Sequence, residues 1–312
     1  MNIILGTMTF GDQVDAGGVR AMIEEFQSNG FSELDTAHKY CEGKTEELLG
    51  EVLAPTLRKE VYLATKVNPW TDQGLEPEEI YKQFKESLVR LRTDYVDLLY
   101  LHAPDLNSPV TQSLEACNRL HRVGKLKNLG LSNYAAWQVA EVVEICRSNG
   151  WLQPSVYQGM YNGLTRDVER ELLPCLRNYE MKFYAYNPLA GGLLTGKHTS
   201  HSDEPAEGRF KGNQMYLDRY WKPDFFKAID RVWEVCERSG VTPVSAALGW
   251  LAHHSNMSAS RGDGIIVGVS KVDHLEENLS SCAHGPLPPS VVDAMDSAWE
   301  VVRPACPKYF RP

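Results

Sequence analysis

Short apolar segments alternate with longer segments of helical periodicity along almost the whole chain, and this alternation limits the possible folds more than any other feature of the sequence. Eight short segments rich in apolar and β-branched residues predict strands: residues 2–5, 31–34, 61–65, 96–101, 126–131, 155–158, 182–186 and 264–267. The segments between them predict helices, among them residues 18–28, 77–91, 110–122, 137–148, 167–177 and 225–238. Strands that alternate with helices form a parallel sheet joined by helical crossovers.

Eight strand–helix units over 312 residues fit a closed (β/α)8 barrel, the TIM-barrel class of α/β folds, better than an open doubly wound sheet. No G-x-G-x-x-G follows the first predicted strand, which argues against the dinucleotide-binding fold of that kind. No linker-like change in composition divides the chain, so we predict a single domain over residues 1–312. The irregular segment 193–223 follows the seventh strand, and a loop this long is expected to act as a lid or a binding loop.

Residues that favour the ends of helices mark some of the boundaries. The expected starts are Asp15, Pro77 and Thr165, and the expected stops are Gly30, Gly124 and Gly150. These positions divide the chain into units of the length that a barrel requires.

The composition excludes several classes of protein. A formal net charge of −9 argues against sequence-independent binding of nucleic acid, which needs a basic surface. The seven cysteines are widely spaced without a C-x-x-C pair, so we expect reduced thiols and a cytoplasmic protein. No segment approaches the roughly 18 apolar residues of a membrane span, and the sequence enters a predicted strand at once, so we expect neither a membrane segment nor a signal peptide in it. No cysteine or carboxylate accompanies the paired histidines, and we expect no metal site.

The active site of a parallel barrel lies where its strands end. Polar side chains follow nearly every predicted strand: Asp35 and Tyr40, Lys66, His102, Ser132 and Asn133, Gln158, and Tyr186 and Asn187, in strand order from the second to the seventh. Because these strand ends meet at one end of the barrel, the sequence predicts a single polar site there.

Four of these residues indicate acid–base chemistry on a carbonyl group. A phenol, with its usual pKa of about 10, is a weak acid near neutrality, and the ammonium group of Lys66 would lower the pKa of Tyr40. Asp35 would keep Lys66 charged, and His102 would orient a carbonyl oxygen or relay its proton. A carbonyl that gains a proton at oxygen needs a hydride at carbon, for which a nicotinamide is the expected source.

Motifs along nearly the whole chain resemble the aldo-keto reductase superfamily. The general ones are D-T-A-x-x-Y at 35–40, A-T-K at 64–66, V-D-L-L-Y-L-H at 96–102 and G-L-S-N at 130–133. Others are similar to the aflatoxin-aldehyde and succinic-semialdehyde reductase branch: K-V-N-P-W at 66–70, L-H-A-P-D at 101–105, Y-Q-G-M-Y-N at 157–162, Y-A-Y-N-P-L-A-G-G-L-L-T-G-K at 184–197 and C-P-K-Y-F-R at 306–311. The resemblance implies a homodimeric, NADPH-dependent reductase of small aldehydes (dialdehydes, semialdehydes such as succinic semialdehyde, dicarbonyls), active in detoxification, with the C-terminal tail over the active site.

The resemblance also implies a role for each matched residue. Tyr40 matches the proton donor, Lys66 the lysine that lowers its pKa, and Asp35 the supporting carboxylate. His102 matches the histidine that orients the substrate. The residues expected around the nicotinamide are Asp35, Ser132, Asn133, Gln158 and the stacking ring of Tyr186.

Two further segments match the regions that hold the phosphates of the cofactor. The residues expected along the pyrophosphate are Asn187, Pro188, Leu189, Ala190, Gly191, Gly192, Leu193, Leu194, Thr195, Gly196 and Lys197. Those expected near the adenosine 2′-phosphate, which implies NADPH rather than NADH, are Arg209, Gly268, Ser270, Lys271, His274, Glu277 and Asn278. Glycines permit close backbone approach to phosphates, and a helix N-terminus can receive one. At Gly268 and His274 many family members carry lysine and arginine, and Lys271 is expected to compensate.

The substrate pocket is expected to include Tyr216, Arg219 and Arg311, which match pocket positions in this branch, together with His102, Trp70 and Trp221. A guanidinium group binds a carboxylate with two hydrogen bonds, so the arginines favour a substrate that carries a carboxylate. The alternative is that they are solvated arginines of a mobile loop and tail. Cys41, next to Tyr40, is interpreted as a buried thiol, with a redox-sensitive thiol as the alternative.

Two other functions compete with the reductase. Potassium-channel β subunits share this barrel and serve mainly as cofactor-sensing binding partners, although nothing here resembles the N-terminal inactivating extension of some of them. A barrel isomerase or aldolase would use Lys66 as a Schiff-base amine with a lowered pKa. The neighbouring Asp35 argues against that, because an ion pair keeps the amine protonated.

Overall fold

The computed structural model describes residues 1–53, 56–202, 205 and 208–311. Eight parallel strands close into a barrel in which each strand pairs with the next in sequence and the eighth pairs with the first. The strands are β1 (Asn2–Gly6), β2 (Glu33–Asp35), β3 (Tyr62–Val67), β4 (Val96–Leu101), β5 (Leu126–Ser132), β6 (Pro154–Met160), β7 (Lys182–Tyr186) and β8 (Gly264–Gly268). The predicted (β/α)8 barrel is confirmed, and each strand overlaps its predicted segment.

Helices surround the barrel and separate successive strands. Those that the described residues form are α1 (Ala16–Ser28), α2 (Lys44–Leu53), α3 (Pro77–Arg90), α4 (Val110–Arg122), α5 (Ala136–Asn149), α6 (Leu172–Asn178), α7 (Gln214–Tyr220), α8 (Pro223–Ser239), α9 (Pro243–His253), α10 (Val272–Ala283) and α11 (Pro289–Val302). Their ends follow local chemistry: the Asp15 side chain accepts a hydrogen bond from the Gly18 amide, and Gly150 ends α5 in the left-handed conformation. None of these helices is long and apolar enough to cross a membrane.

One helix differs from its prediction. The segment 167–177 was expected to be continuous from a start at Thr165, but it forms a short 3-10 turn at Asp167–Glu169 and then α6. Thr165 instead closes a tight turn with Asn162 through paired backbone hydrogen bonds. Pro174 explains the break, because proline is tolerated in the first turn of a helix, where α6 places it, but not in the interior.

The barrel interior is filled from alternate positions along the strands, since successive side chains of a strand point to opposite faces. An apolar layer inside the barrel comprises Ile4, Ala64, Leu98, Tyr100, Val156, Tyr184 and Ile266. Residues two or four positions further along the same strands, among them Lys66, His102 and Gln158, therefore point inward at the carboxyl end. The apolar layer thus forms the floor of a polar site.

The segment after β7 crosses this end of the barrel. It is less irregular than its composition indicates, because it contains 3-10 turns at Ala190–Thr195 and Gly208–Phe210 and the helix α7. The C-terminal tail reaches the same end, where the Arg311 amide donates to the Asn133 carbonyl oxygen over 3.0 Å. The predicted long loop and tail are both present.

Candidate active site

A buried ion pair lies at the centre of the carboxyl end. Lys66 has no exposed surface, and Asp35 is 3% exposed. The Lys66 Nζ donates to Asp35 Oδ1 at 2.6 Å, to the Thr36 carbonyl oxygen at 2.7 Å and to Tyr40 Oη at 3.2 Å. Burial alone would lower the pKa of Lys66, but the charge of Asp35 and the contact with Tyr40 raise it above its usual value. Lys66 is therefore an ammonium group, which disfavours the Schiff-base alternative.

Tyr40 lies just beyond β2, in a 3-10 turn at Tyr40–Gly43. Burial raises the pKa of its phenol, and the neighbouring Lys66 lowers it by a smaller amount, so that the net pKa lies above the usual value. The effect of Lys66 has the expected sign, but it does not dominate. Tyr40 is thus a neutral phenol over the physiological range, the form that can donate a proton.

His102 borders the phenol at the end of β4. Its ring lies edge-on to Tyr40, with centroids 6.0 Å apart, and packs against Trp70 at 4.9 Å. Burial, together with the positive charge of Lys66, holds the pKa of His102 well below its usual value. The buried Nδ1 atom makes no hydrogen bond to any residue that the structure describes. A neutral imidazole with an unused nitrogen is suited to binding a polar group.

A chain of amide and hydroxyl groups continues around the barrel end. Gln158 Nε2 donates to Asp35 Oδ2 at 2.8 Å, so Gln158 is bonded directly to the ion pair. Asn133, in the left-handed region with φ of 63°, donates to the His102 carbonyl oxygen at 2.8 Å and to Ser132 Oγ at 3.0 Å. The Tyr186 hydroxyl donates to Asn133 Oδ1 at 2.8 Å. The structure therefore brings together at one end of the barrel all five residues expected around the nicotinamide, since Asp35 belongs to the ion pair and Ser132, Asn133, Gln158 and Tyr186 lie near it.

The segment expected along the pyrophosphate follows β7 directly. Its backbone has a positive φ at Asn187, Ala190, Gly191, Gly192 and Gly196. A Cβ atom on Gly192 would meet no atom within 4 Å, so its backbone is open to the approach of a ligand.

The start of this segment is held in place by the long loop, because the Tyr216 hydroxyl donates to Asn187 Oδ1 at 3.1 Å. Lys197 is exposed at its far end. This arrangement fits a phosphate-bearing cofactor.

The second segment that the sequence predicts to bind a phosphate lies at the end of β8, where Gly268 pairs with Gly6 of β1. Lys271 immediately precedes α10, and Ser270 is half-buried beside it. His274, Glu277 and Asn278 lie on α10, where Asn278 is buried. The segment therefore reaches the same end of the barrel as the ion pair.

Arg209 makes its contacts outside the segment 268–278. Its Nη1 lies 2.8 Å from the sulfur of Met8, and its guanidinium carbon lies 5.5 Å from the centre of the Tyr216 ring. These contacts link the long loop to the segment after β1. Among the described residues, no hydrogen bond joins Arg209 to the segment 268–278.

The rim of the site carries aromatic and cationic side chains. The guanidinium group of Arg311 lies 4.6 Å from the centre of the Trp70 ring, and Trp70 is 37% exposed. Arg219 lies 5.8 Å from the ring of Tyr216 on α7. The structure therefore places both arginines beside aromatic rings that the sequence assigned to the pocket.

Trp221 is directed elsewhere. Its indole nitrogen donates to the His201 carbonyl oxygen at 3.0 Å, and its ring packs against Phe210 and Phe226 at 4.9 Å. It therefore belongs to an aromatic cluster between the long loop and α8.

Comparison with known proteins identifies the family. The sequence model of the aldo/keto reductase family matches residues 2–300. The chain belongs to the aldo/keto reductase family. The predicted resemblance is thereby confirmed, and the protein is an oxidoreductase.

Individual relatives of this aldo/keto reductase are similar over almost their whole length. Aflatoxin B1 aldehyde reductase member 2 of Rattus norvegicus is 47% identical, over 99% of this chain and 87% of the relative. Aflatoxin B1 aldehyde reductase member 4 of Homo sapiens is 45% identical, over 98% of this chain and 96% of the relative. Aldo-keto reductase pigE of Monascus ruber is 34% identical, over 94% of this chain and 90% of the relative.

Two residues near this site were not among those that the sequence singled out. Lys39 Nζ lies 5.7 Å from the centre of the Trp70 ring and adds a cation to the rim. Its place beside Tyr40 in the D-T-A-x-x-Y motif was the signal that could have identified it. Met8, which is 40% exposed after β1, accepts the contact from Arg209. No sequence pattern marks a methionine for that contact.

Proposed function

We propose that this aldo/keto reductase reduces small aldehydes to alcohols with NADPH, and that Tyr40 is the general acid. The observation that carries the proposal is the buried pair Asp35–Lys66 with Tyr40 bonded to it, and the unused Nδ1 of His102 beside them. A reduced nicotinamide bound at this end would supply the hydride, as is usual in the family. The relatives named as aldehyde reductases support an aldehyde as substrate.

The residues of the chain bind, orient and move a proton. His102, held neutral, donates a hydrogen bond from its ring N–H to the carbonyl oxygen and sets that oxygen beside Tyr40. The Tyr40 hydroxyl gives up its proton as negative charge develops on the substrate oxygen. Lys66 lies 3.2 Å from the same hydroxyl and stabilises the phenolate that remains, because its ammonium charge is fixed in a water-poor setting.

The proposed nicotinamide-binding site consists of Ser132, Asn133, Gln158 and Tyr186. Their amide and hydroxyl groups can hold a carboxamide, and the ring of Tyr186 can stack on the nicotinamide. Support comes from the hydrogen bonds that join Asn133 to Ser132 and to Tyr186, and from the one that joins Gln158 to Asp35 at the same end of the barrel. A preference for NADPH is supported by Lys271 at the start of α10, where the helix N-terminus favours an anion.

We also propose that the substrate carries a carboxylate, as in succinic semialdehyde. Arg311, Arg219 and Lys39 place positive charge around Trp70 and Tyr216, and a guanidinium group binds a carboxylate better than it binds an uncharged aldehyde. Dialdehydes and dicarbonyls remain further candidate substrates. A single domain over residues 1–312, a homodimer, a cytoplasmic location and a role in detoxification stay predictions.

Oxidation of NADPH, followed by the loss of its absorbance with 2-nitrobenzaldehyde and with succinic semialdehyde, tests the proposal. The wild type should turn over both aldehydes, and Tyr40→Phe should lose most of kcat. If the wild type turned over none of a panel of aldehydes, the proposed aldehyde reductase activity would be contradicted, and a role as a cofactor-binding subunit would be favoured. If Tyr40→Phe kept full activity, only the proposed role of Tyr40 as the general acid would be refuted.

A further inference from the structure

The backbone that follows Tyr40 has an unusual conformation. The Tyr40 turn (Tyr40–Gly43) contains three successive residues in the left-handed region, with φ of 46° at Cys41, 56° at Glu42 and 94° at Gly43. The first two are not glycine, and this region is costly for residues that carry a Cβ atom. Such a turn persists only when its surroundings hold it.

Arg90, the last residue of α3, makes the contacts that hold it. Arg90 Nη1 donates to the His38 carbonyl oxygen at 3.2 Å, two residues before Tyr40. The guanidinium group also lies against Gly43, where a Cβ atom would come within 2.5 Å of Arg90 Cζ. Arg90 therefore touches both sides of the Tyr40 turn, and the φ of 94° at Gly43 explains why glycine is favoured there.

Two carboxylates orient the guanidinium group of Arg90. Glu46, in the first turn of α2, has no exposed surface and lies 3.5 Å from Arg90 Nη1, whereas Glu86 of α3 lies 3.7 Å from Nη2. Glu86 also pairs with His38 Nε2 at 2.7 Å. Arg90 and Glu86 thus hold His38 by its backbone and by its side chain.

The same contacts reach the strand that carries Lys66. Thr65 Oγ1 donates to Glu46 at 2.6 Å, and the His38 amide donates to the Lys66 carbonyl oxygen at 3.1 Å. Since neighbouring side chains of a strand point to opposite faces, Thr65 contacts Glu46 of α2 on one side of β3, and Lys66 contacts Tyr40 on the other. The distance between Lys66 Nζ and Tyr40 Oη therefore depends on the contacts on both sides of β3.

We propose that Arg90 is a positioning residue that sets the place of the Tyr40 hydroxyl relative to Lys66 and His102. The role rests on the proposed function of Tyr40 as the acid. Arg90 acts through the backbone of the Tyr40 turn and touches neither substrate nor cofactor. Without the guanidinium N–H donors of Arg90, the Tyr40 turn relaxes, and the Tyr40 hydroxyl moves away from the reacting oxygen.

The test compares Arg90→Met, which keeps the length of the side chain without its donors, with Arg90→Lys, which keeps the charge. Arg147→Met is the matched control, because Arg147 also bonds two partners, Glu144 and Gln153, but lies on α5. For Arg90→Met we expect kcat with 2-nitrobenzaldehyde to fall about 10- to 100-fold, the size of effect that a misplaced catalytic group produces. The dissociation constant for NADPH, measured by quenching of tryptophan fluorescence, should stay that of the wild type. Arg90→Lys should recover part of kcat, and Arg147→Met should match the wild type.

The pH profile of kcat separates positioning from a general loss of structure. Lys66 lowers the pKa of Tyr40, so a longer distance between them raises that pKa, and the basic limb of the profile should move to higher pH in Arg90→Met. If the kcat of Arg90→Met equalled that of Arg147→Met, the proposal would be overturned. It would also be overturned if the kcat of Arg90→Met fell only in proportion to its folded fraction while its pH profile did not move. Tyr40→Phe in the same assay distinguishes the acid role of Tyr40 from the positioning role of Arg90. If Tyr40→Phe keeps full activity, the proposed acid role of Tyr40 is refuted. If Tyr40→Phe is inactive while Arg90→Met is fully active, only the positioning role fails.

Discussion

The centre of the site and its rim are held together in different ways. At the centre, Asp35, Lys66 and Gln158 are at most 4% exposed and bond one another over 2.6–2.8 Å. At the rim, Trp70 is 37% exposed, and the Arg311 guanidinium group lies on its ring. Buried charges must satisfy one another because water cannot, so the centre has its geometry before any ligand binds. The rim keeps its charges available to a ligand.

The largest expected effect is on stability and comes from a substitution at the centre of the site. Lys66→Met leaves a buried, unpaired carboxylate at Asp35, so the free energy of unfolding should fall by about 3–5 kcal/mol. The control Lys227→Met removes the exposed pair with Asp224, which should cost less than about 1 kcal/mol. Urea unfolding of both variants measures the difference. Similar losses in the two would mean that the ion pair at the centre is no different from one on the surface.

A rim substitution should change substrate recognition and leave stability nearly unchanged. Arg311→Ala removes a hydrogen bond to a carboxylate, worth about 1.5–3 kcal/mol, so the KM for succinic semialdehyde should rise about 10- to 100-fold. The KM for 2-nitrobenzaldehyde, which has no carboxylate, should change little. Steady-state kinetics with both substrates measure the ratio, and an equal rise for both would refute a carboxylate site at Arg311.

A substitution between the two regions should have a smaller effect. Tyr186→Phe keeps the ring and removes the hydrogen bond to Asn133, so binding of NADPH should weaken by about 0.5–1.5 kcal/mol. Fluorescence titration with NADPH measures it, and Tyr179→Phe, at a tyrosine whose ring lies against Arg147, is the control. An unchanged affinity would show that Asn133 does not depend on Tyr186.

The smallest expected effect is a flat pH profile between about pH 6 and 8, the range in which an ordinary histidine titrates. Burial keeps the pKa of His102 well below its usual value, so His102 is already neutral there. Burial also raises the pKa of Tyr40 above its usual value, so the acid keeps its proton throughout this range. The kcat for 2-nitrobenzaldehyde across this range checks both. An ionisation in that window that disappears in His102→Asn would mean that the histidine is solvated.

The sequence predicted the centre better than the rim. Asp35, Lys66 and His102 come at or just after strands, and strand ends must converge in a parallel barrel, so their meeting follows from the order of elements. Trp221 lies in the long loop, where no periodicity determines direction, and the structure turns it into the cluster with Phe210. Arg90 was not identified either, because it stands on a helix whose pattern explains it as an ordinary charged residue of the last turn.

Local sequence determined the eight strands, the boundaries of most of the six predicted helices and the polar residues at the strand ends, because periodicity, caps and proline act within a few residues. Only the tertiary structure decided the protonation states and the contacts between elements. The pKa of Tyr40 depends on how deeply the closed barrel buries it and on its distance from Lys66, two quantities that arise when β2 and β3 pair. The left-handed turn after Tyr40 likewise depends on Arg90, which is distant in sequence and is brought to the turn by the packing of α2 against α3.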